Sequence, residues 1–129
     1  MERLTLRYKD AERTIATLKE IMEQPFSIIV RDAAIQRFEY TFEALWKLLK
    51  EYLKVHEGSM CNSPKSCFRE GLACGLITDD ETMVFLEMTD DRNMTSHTYK
   101  EEVSQMLYDK MCKYYKIMEK LLGYVRKNI

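Results

Sequence analysis

The 129-residue chain has only four glycines and two prolines. That is too little turn chemistry for a many-stranded β-sandwich or barrel, which needs a turn signal every dozen residues or so, and helices are the expected elements. An excess of either charge is also missing. Twenty Lys and Arg stand against 21 Asp and Glu, so there is no global basic field to drive nonspecific nucleic-acid binding, and any RNA contact must be local. No apolar run approaches the length of a membrane-spanning helix. The opening MERLTLRYKDAERT carries charges every few residues, unlike a signal peptide or anchor. The expected compartment is the cytoplasm, without membrane association. Cys61, Cys67, Cys74 and Cys112 lack the paired close spacing of a zinc site or redox motif. They are expected to stay free thiols acting as small apolar fillers, with no metal and no cofactor.

What is present is apolar residues at helical spacing, in a length suited to a single domain over residues 1–129. Leu4, Tyr8, Ala11, Ile15, Leu18 and Met22 form one stripe, which predicts a helix over about residues 4–23. Gln24 precedes Pro25 and is thereby pushed out of the α region, so the chain should reverse there. Ile28, Ile35, Phe38, Phe42, Leu45, Trp46, Leu49 and Leu53 then keep the period until Gly58 supplies a stop, predicting one helix of about thirty residues. Ser63 with Pro64 reads as an N-cap followed by proline in the first turn, starting a short helix that ends at Gly75. Thr78 with Glu81 makes a capping box for a helix burying Val84, Phe85 and Met88. A second box, Thr98 with Glu101, predicts a final long helix from about residue 98 through Val125. The expected architecture is all-α, an up-and-down four-helix bundle with one additional short helix.

Between the two boxes, Asp90, Asp91, Asn93, Thr95 and Ser96 prefer caps and turns to helix interiors, which places a helix–helix corner there. On an unbroken helix Arg92 and His97, five residues apart, would lie some 140° apart around the axis. A corner would instead let Arg92, at the end of one helix, converge with His97 and Tyr99 at the start of the next. Such a pocket suits a phosphate, because a guanidinium offers a planar fork of donors and a helix start adds free N–H groups. Imidazole, with an ordinary pKa of about 6.5, exchanges protons near neutral pH, as acid–base cleavage of RNA requires. From spacing alone, an Arg and a His near a helix end are more often a cap and a surface charge than a catalytic pair.

Residues 92–99, Arg92-Asn93-Met94-Thr95-Ser96-His97-Thr98-Tyr99, match the motif of arginine, four residues, histidine, any residue and tyrosine that marks the HEPN family. The segments RFEYTFEALWKLLKEYL, residues 37–53, and GLITDDETMVFLEMTDDRN, residues 75–93, resemble its nucleotidyltransferase substrate-binding branch, whose toxin members are called HepT. The likeness covers about residues 4–125. It departs from the pattern at Met83, Val84 and Phe85, where relatives often carry a tryptophan, a difference that bears on packing.

The resemblance implies a HEPN-like helical homodimer, alone or within a larger hetero-oligomer, partnered by a small nucleotidyltransferase of the MNT type. It implies metal-independent RNA cleavage at the dimer cleft, with Arg92 and His97 catalytic and Asn93 supporting, as the toxin of a two-gene toxin–antitoxin module. It also implies silencing by AMP transfer to Tyr99. The alternative within the same branch is a noncatalytic subunit that presents substrate to the nucleotidyltransferase.

Other residues have competing readings. Phe38, Phe42 and Trp46 are spaced for a core or dimer surface more than for base stacking. Arg37 and Glu39 flank that stripe, either as supports of the cleft or as solvated charges. His56 suits a helix C-terminus, and Tyr108, Tyr114 and Tyr115 are expected to pack along the last helix with hydroxyls reaching solvent.

Overall fold

The computed structural model describes residues 2–129. Within them the chain is all-helical: α1 (Glu2–Met22), α2 (Ile28–Glu57), α3 (Pro64–Ala73), α4 (Asp79–Asn93), a 3₁₀ turn (Met94–His97), α5 (Glu101–Asp109) and α6 (Met111–Arg126). Local chemistry sets most of these limits. Ser27 caps α2 by accepting from the Val30 N–H, and Gly58 closes it in the left-handed region at φ 64°, its N–H reaching the Leu53 carbonyl. Ser63 and Ser66 form a capping box on α3 ahead of Pro64, and Thr78 and Glu81 form one on α4.

The long helix α2 is the spine. It packs most extensively on α1 and also meets α3, α4, α5 and α6. Five fully buried rings join it to three other helices. Phe38 stacks on Tyr114 of α6 at 5.6 Å between centroids and Phe42 leans on Phe68 of α3 at 6.1 Å, while Phe68 stacks on Phe85 of α4 at 4.5 Å and 6°. Phe38 and Phe42 are therefore core. Trp46 is half-buried beside them, and Val84, expected inside, is half-buried.

The structure corrects the expected last helix and its cap. There are two helices, α5 and α6, with the ladder interrupted at Lys110. Lys100, in extended geometry and without a side-chain cap bond, precedes α5. The Thr98–Glu101 box does not form, because Glu101 answers a stronger demand. Arg31, 3% exposed on α2, donates from Nη1 and from Nη2 (3.1 Å) to the two Glu101 carboxylate oxygens. Arg31 Nε also donates to Asp32 Oδ1 at 3.2 Å, and a two-pronged carboxylate partner for a buried guanidinium is worth more than an exposed cap.

The cysteine reading also needs correction. Cys61 and Cys67 are both buried and joined as a disulfide, their Cα atoms 5.2 Å apart. The Ser63 cap, whose carbonyl accepts from the Cys67 N–H, turns the preceding loop back over the start of α3. A six-residue separation is unlike a zinc or dithiol motif, while the 5.2 Å between Cα atoms is what a disulfide spans. Cys74 and Cys112 are free.

Two outcomes follow from this packing. Phe68→Ala removes the ring between Phe42 and Phe85 and should cost about 3–5 kcal/mol by denaturant unfolding. The hydrogen bonds from Arg31 hold the Glu101 carboxyl below the usual carboxylate range. The folded form is thus the stronger acid, so its contribution is complete above the unfolded value of about 4.3 and disappears as pH falls through the lower folded value. The melting temperature of Glu101→Gln should therefore lie below that of wild type at pH 7, and the gap should close as the melts are repeated at increasingly acid pH.

Candidate active site

Three hydroxyl groups shape the segment after α4. Thr95 Oγ1 donates to the Arg92 carbonyl at 2.7 Å, Ser96 Oγ to the Asn93 carbonyl at 3.3 Å and Thr98 Oγ1 to the Thr95 carbonyl at 3.4 Å. Each takes a carbonyl that an α-helix would use four residues later, which favours the tighter 3₁₀ turn and ends the helix. Ser104 Oγ, almost fully buried on α5, donates to the Thr98 carbonyl at 2.8 Å and ties the far side of the turn down.

On the near side the buried carboxylate of Asp91 accepts from the Tyr114 hydroxyl and, at 2.9 Å, from Lys110 Nζ. Burial, with Asp91 as acceptor, holds the Tyr114 phenol well above the usual range. Burial pulls the Lys110 ammonium down, but its bonds to Asp91 and Glu87 outweigh this and leave it raised. The Tyr114 hydroxyl therefore stays inside, whereas Tyr108 packs on Phe26 and Tyr115 bonds Glu119.

Arg92, the next residue after Asp91, is half-buried and faces α2, where its Nε donates to Glu43 Oε1 at 3.1 Å. The second Glu43 oxygen accepts from the Trp46 indole N–H at 3.1 Å. One turn earlier on α2, Glu39 Oε2 also lies within hydrogen-bond reach of Thr95 Oγ1, whose single proton it shares with the Arg92 carbonyl. The guanidinium is thus clamped through Nε, and among the described residues its Nη groups have no protein acceptor. A cavity of about 150 Å³ beside Glu39 and Thr95 is lined also by Asp32, Ile35, Gln36 and Thr98.

His97 and Tyr99 are exposed and face one another, their ring centroids 6.2 Å apart. Tyr99 is 78% exposed, with Lys100 Nζ 5.9 Å from its ring centre. Asn93 is exposed at the last turn of α4. The helix break thus brings His97 to Tyr99, while Arg92 is held on α2; within the described residues no hydrogen bond joins Arg92 to His97. Arg37 belongs elsewhere, donating to the Thr17 carbonyl at 2.7 Å in the α1–α2 contact. His56 stacks on Tyr52 at the end of α2. No cluster of three or more His, Cys, Asp or Glu among the described residues is placed to hold a metal ion, and no helix among them is long and apolar enough to cross a membrane.

The sequence model of the family described as nucleotidyltransferase substrate binding protein like matches residues 6–127. The chain belongs to that family. It is 45% identical to a protein of known crystal structure from Thermus thermophilus, covering 90% of this chain and 98% of that one, with a TM-score of 0.87. Over 79 residues, 58% of this chain, it is 35% identical to the probable ribonuclease HepT of Haemophilus influenzae; the match spans about half of that relative, 53% of its length. The fold is also that of a tri-AMPylated Shewanella oneidensis HEPN toxin in complex with MNT antitoxin, at 14% identity, 96% coverage of both chains and a TM-score of 0.78.

Glu43 is a functional residue of this family member that its sequence signals only faintly. Glu39 and Glu43 are one turn apart on the helix that carries the aromatic stripe, so two carboxylates were set beside the rings expected to pack inward. Releasing the clamp should be visible directly. In Glu43→Ala the Arg92 Nε proton should exchange with water faster by NMR than in wild type. Because the pair is partly solvated, stability should change by no more than about 1 kcal/mol.

Proposed function

We propose that this protein is a HepT-like ribonuclease toxin, in which Arg92 and His97 cleave RNA without a metal at the cleft of a homodimer. The observation that carries this reading is the clamped arginine. Glu43 holds Arg92 through Nε and leaves the donor fork open, on the same 3₁₀ corner that presents an exposed imidazole. In the reaction the ribose 2′-hydroxyl attacks the adjacent phosphorus, the bond to the 5′-oxygen breaks, and a 2′,3′-cyclic phosphate and a 5′-hydroxyl result. His97 moves the proton, Arg92 binds the extra negative charge of the pentavalent transition state, and Asn93 supports the phosphate or the imidazole. In this reading a second copy of the corner supplies the other side of the cleft.

The partner in this reading is an MNT-type nucleotidyltransferase acting as antitoxin. Tyr99 is its target: the phenolic oxygen attacks the α-phosphorus of ATP, pyrophosphate leaves, and the phenolic proton is lost to solvent. The exposure of Tyr99, its position beside His97 and the AMPylated state of the Shewanella toxin support this, since a bulky anion placed there would obstruct the corner. The family's own description favours a second reading, a noncatalytic subunit that presents substrate to the nucleotidyltransferase.

Expression in a host without the partner separates the two. Wild type should arrest growth and degrade RNA, and His97→Ala should lose cleavage by about 10²–10⁴-fold, the usual worth of a general acid–base group. Intact RNA and normal growth with both would leave the substrate-binding reading. With the nucleotidyltransferase and ATP, wild type should gain AMP mass and Tyr99→Phe should not; equal gain in both would place the modification elsewhere.

A further inference from the structure

The corner is small, and an RNA strand extends well beyond one phosphodiester. A larger groove of about 470 Å³ runs between α1 and α2, with Arg7, Asp10 and Arg13 on one wall and Tyr40, Glu43 and Lys47 on the other. Arg7 and Arg13 stand about 9 Å apart along α1, and Lys47 faces them from α2. Among the described residues none of these three cations has a carboxylate partner. Of the two carboxylates in the groove, Glu43 is already occupied by Arg92 and the Trp46 indole, which leaves Asp10 against three positive charges. Tyr40, 39% exposed, is fixed by a 2.6 Å hydrogen bond between its hydroxyl and Thr17 and presents ring surface at the rim.

Glu43 also makes the groove continuous with the corner. It lines the groove and is one hydrogen bond from Arg92; a turn away, Glu39 holds Thr95 of the motif. In a chain whose charges otherwise balance, three unpaired cations set against Asp10 and an Arg92-paired Glu43 give the groove the local basic excess a polyanion requires.

Resting on the ribonuclease reading, we propose that the α1–α2 groove holds the backbone of the single-stranded RNA flanking the cleavage point, with Arg7, Arg13 and Lys47 on phosphates and Tyr40 under a base. Phosphate contacts position a strand without reading its sequence, so the lane fixes where RNA lies and leaves the choice of base to other contacts.

The test is anisotropy of a short fluorescein-labelled oligouridylate, measured on full-length protein carrying His97→Ala so that binding is read without cleavage. Adding Arg7→Gln, Arg13→Gln and Lys47→Gln together should weaken binding at least about tenfold at low salt. It should also reduce the slope of log affinity against log salt by about 2. Lys47→Gln alone should give part of both effects, and circular dichroism melts confirm that the variants fold. Lys116→Gln with Lys120→Gln, in a second groove between α4 and α6, should change neither.

Equal weakening by both sets, unchanged binding and slope in the triple variant, or no RNA binding by the parent would overturn the lane. So would loss of the complex with the nucleotidyltransferase while RNA binding persists, which would make the groove a protein-docking face. Cleavage by the His97-intact protein is scored separately. A selective loss of binding without any cleavage keeps the lane and removes the ribonuclease, and cleavage with unchanged binding does the reverse.

Discussion

The buried carboxylate of Asp91 is the contact on which the geometry of the corner depends. It lies in the last turn of α4 and receives a hydroxyl from the middle of the core, Tyr114, and an ammonium from the break between α5 and α6, Lys110. A buried charge is tolerable only with such donors around it. The same two bonds fasten three helix ends to one point. Tyr114 is held in turn by its stack on Phe38, so α2 also enters the arrangement. With Asp91 fixed in rotation, the Cα–Cβ bond of the following residue points toward α2, and Arg92 meets the carboxylate of Glu43 there. Asp91 thus sets the direction of the guanidinium without touching it.

The corner uses polar side chains for a purpose that apolar packing cannot serve. No residue of the 3₁₀ turn is fully buried, so hydrophobic burial has little hold on its shape. Its form comes from hydroxyls that take carbonyls three residues back and from Ser104 bracing it from α5. These bonds are local and individually worth about 1 kcal/mol, which makes the turn well defined while leaving His97 and Tyr99 in solvent. Both proposed activities require that exposure, since RNA and a nucleotidyltransferase active site each have to reach them.

Much of the fold could be read from sequence because its signals were short-range. The proline after Gln24, the glycine at 58, the cap at Ser63 and the box at Thr78 each act within one helical turn, and their helix ends fall where those residues place them. The expectations that failed were decided by residues distant in the chain. Glu101 looked like the partner of Thr98 three residues away, but Arg31, seventy positions earlier, takes its carboxylate. Likewise Cys61 and Cys67 carry no motif, and only the loop ahead of α3 brings them together. At the site, the corner was legible from its turn-forming residues and from the family motif. Glu43 was legible only as one of two carboxylates beside the aromatic stripe, because periodicity assigns a residue to a face of its helix and says nothing about which charge on another helix will meet it.

The length of α2 connects these features. At thirty residues it extends about 45 Å, long enough to receive Arg31–Glu101 near its start, Thr95 and Arg92 at its middle and the α3 contact further on. Its apolar face supplies Phe38 and Phe42 to the core while the neighbouring face offers Glu39 and Glu43 to the corner. Rotation of the helix by a single residue, about 100°, would misplace both faces at once. The ring stack that fixes its rotation in the core therefore also fixes where the two carboxylates stand, and a core residue such as Phe38 determines the position of the guanidinium as surely as the residues that bond it.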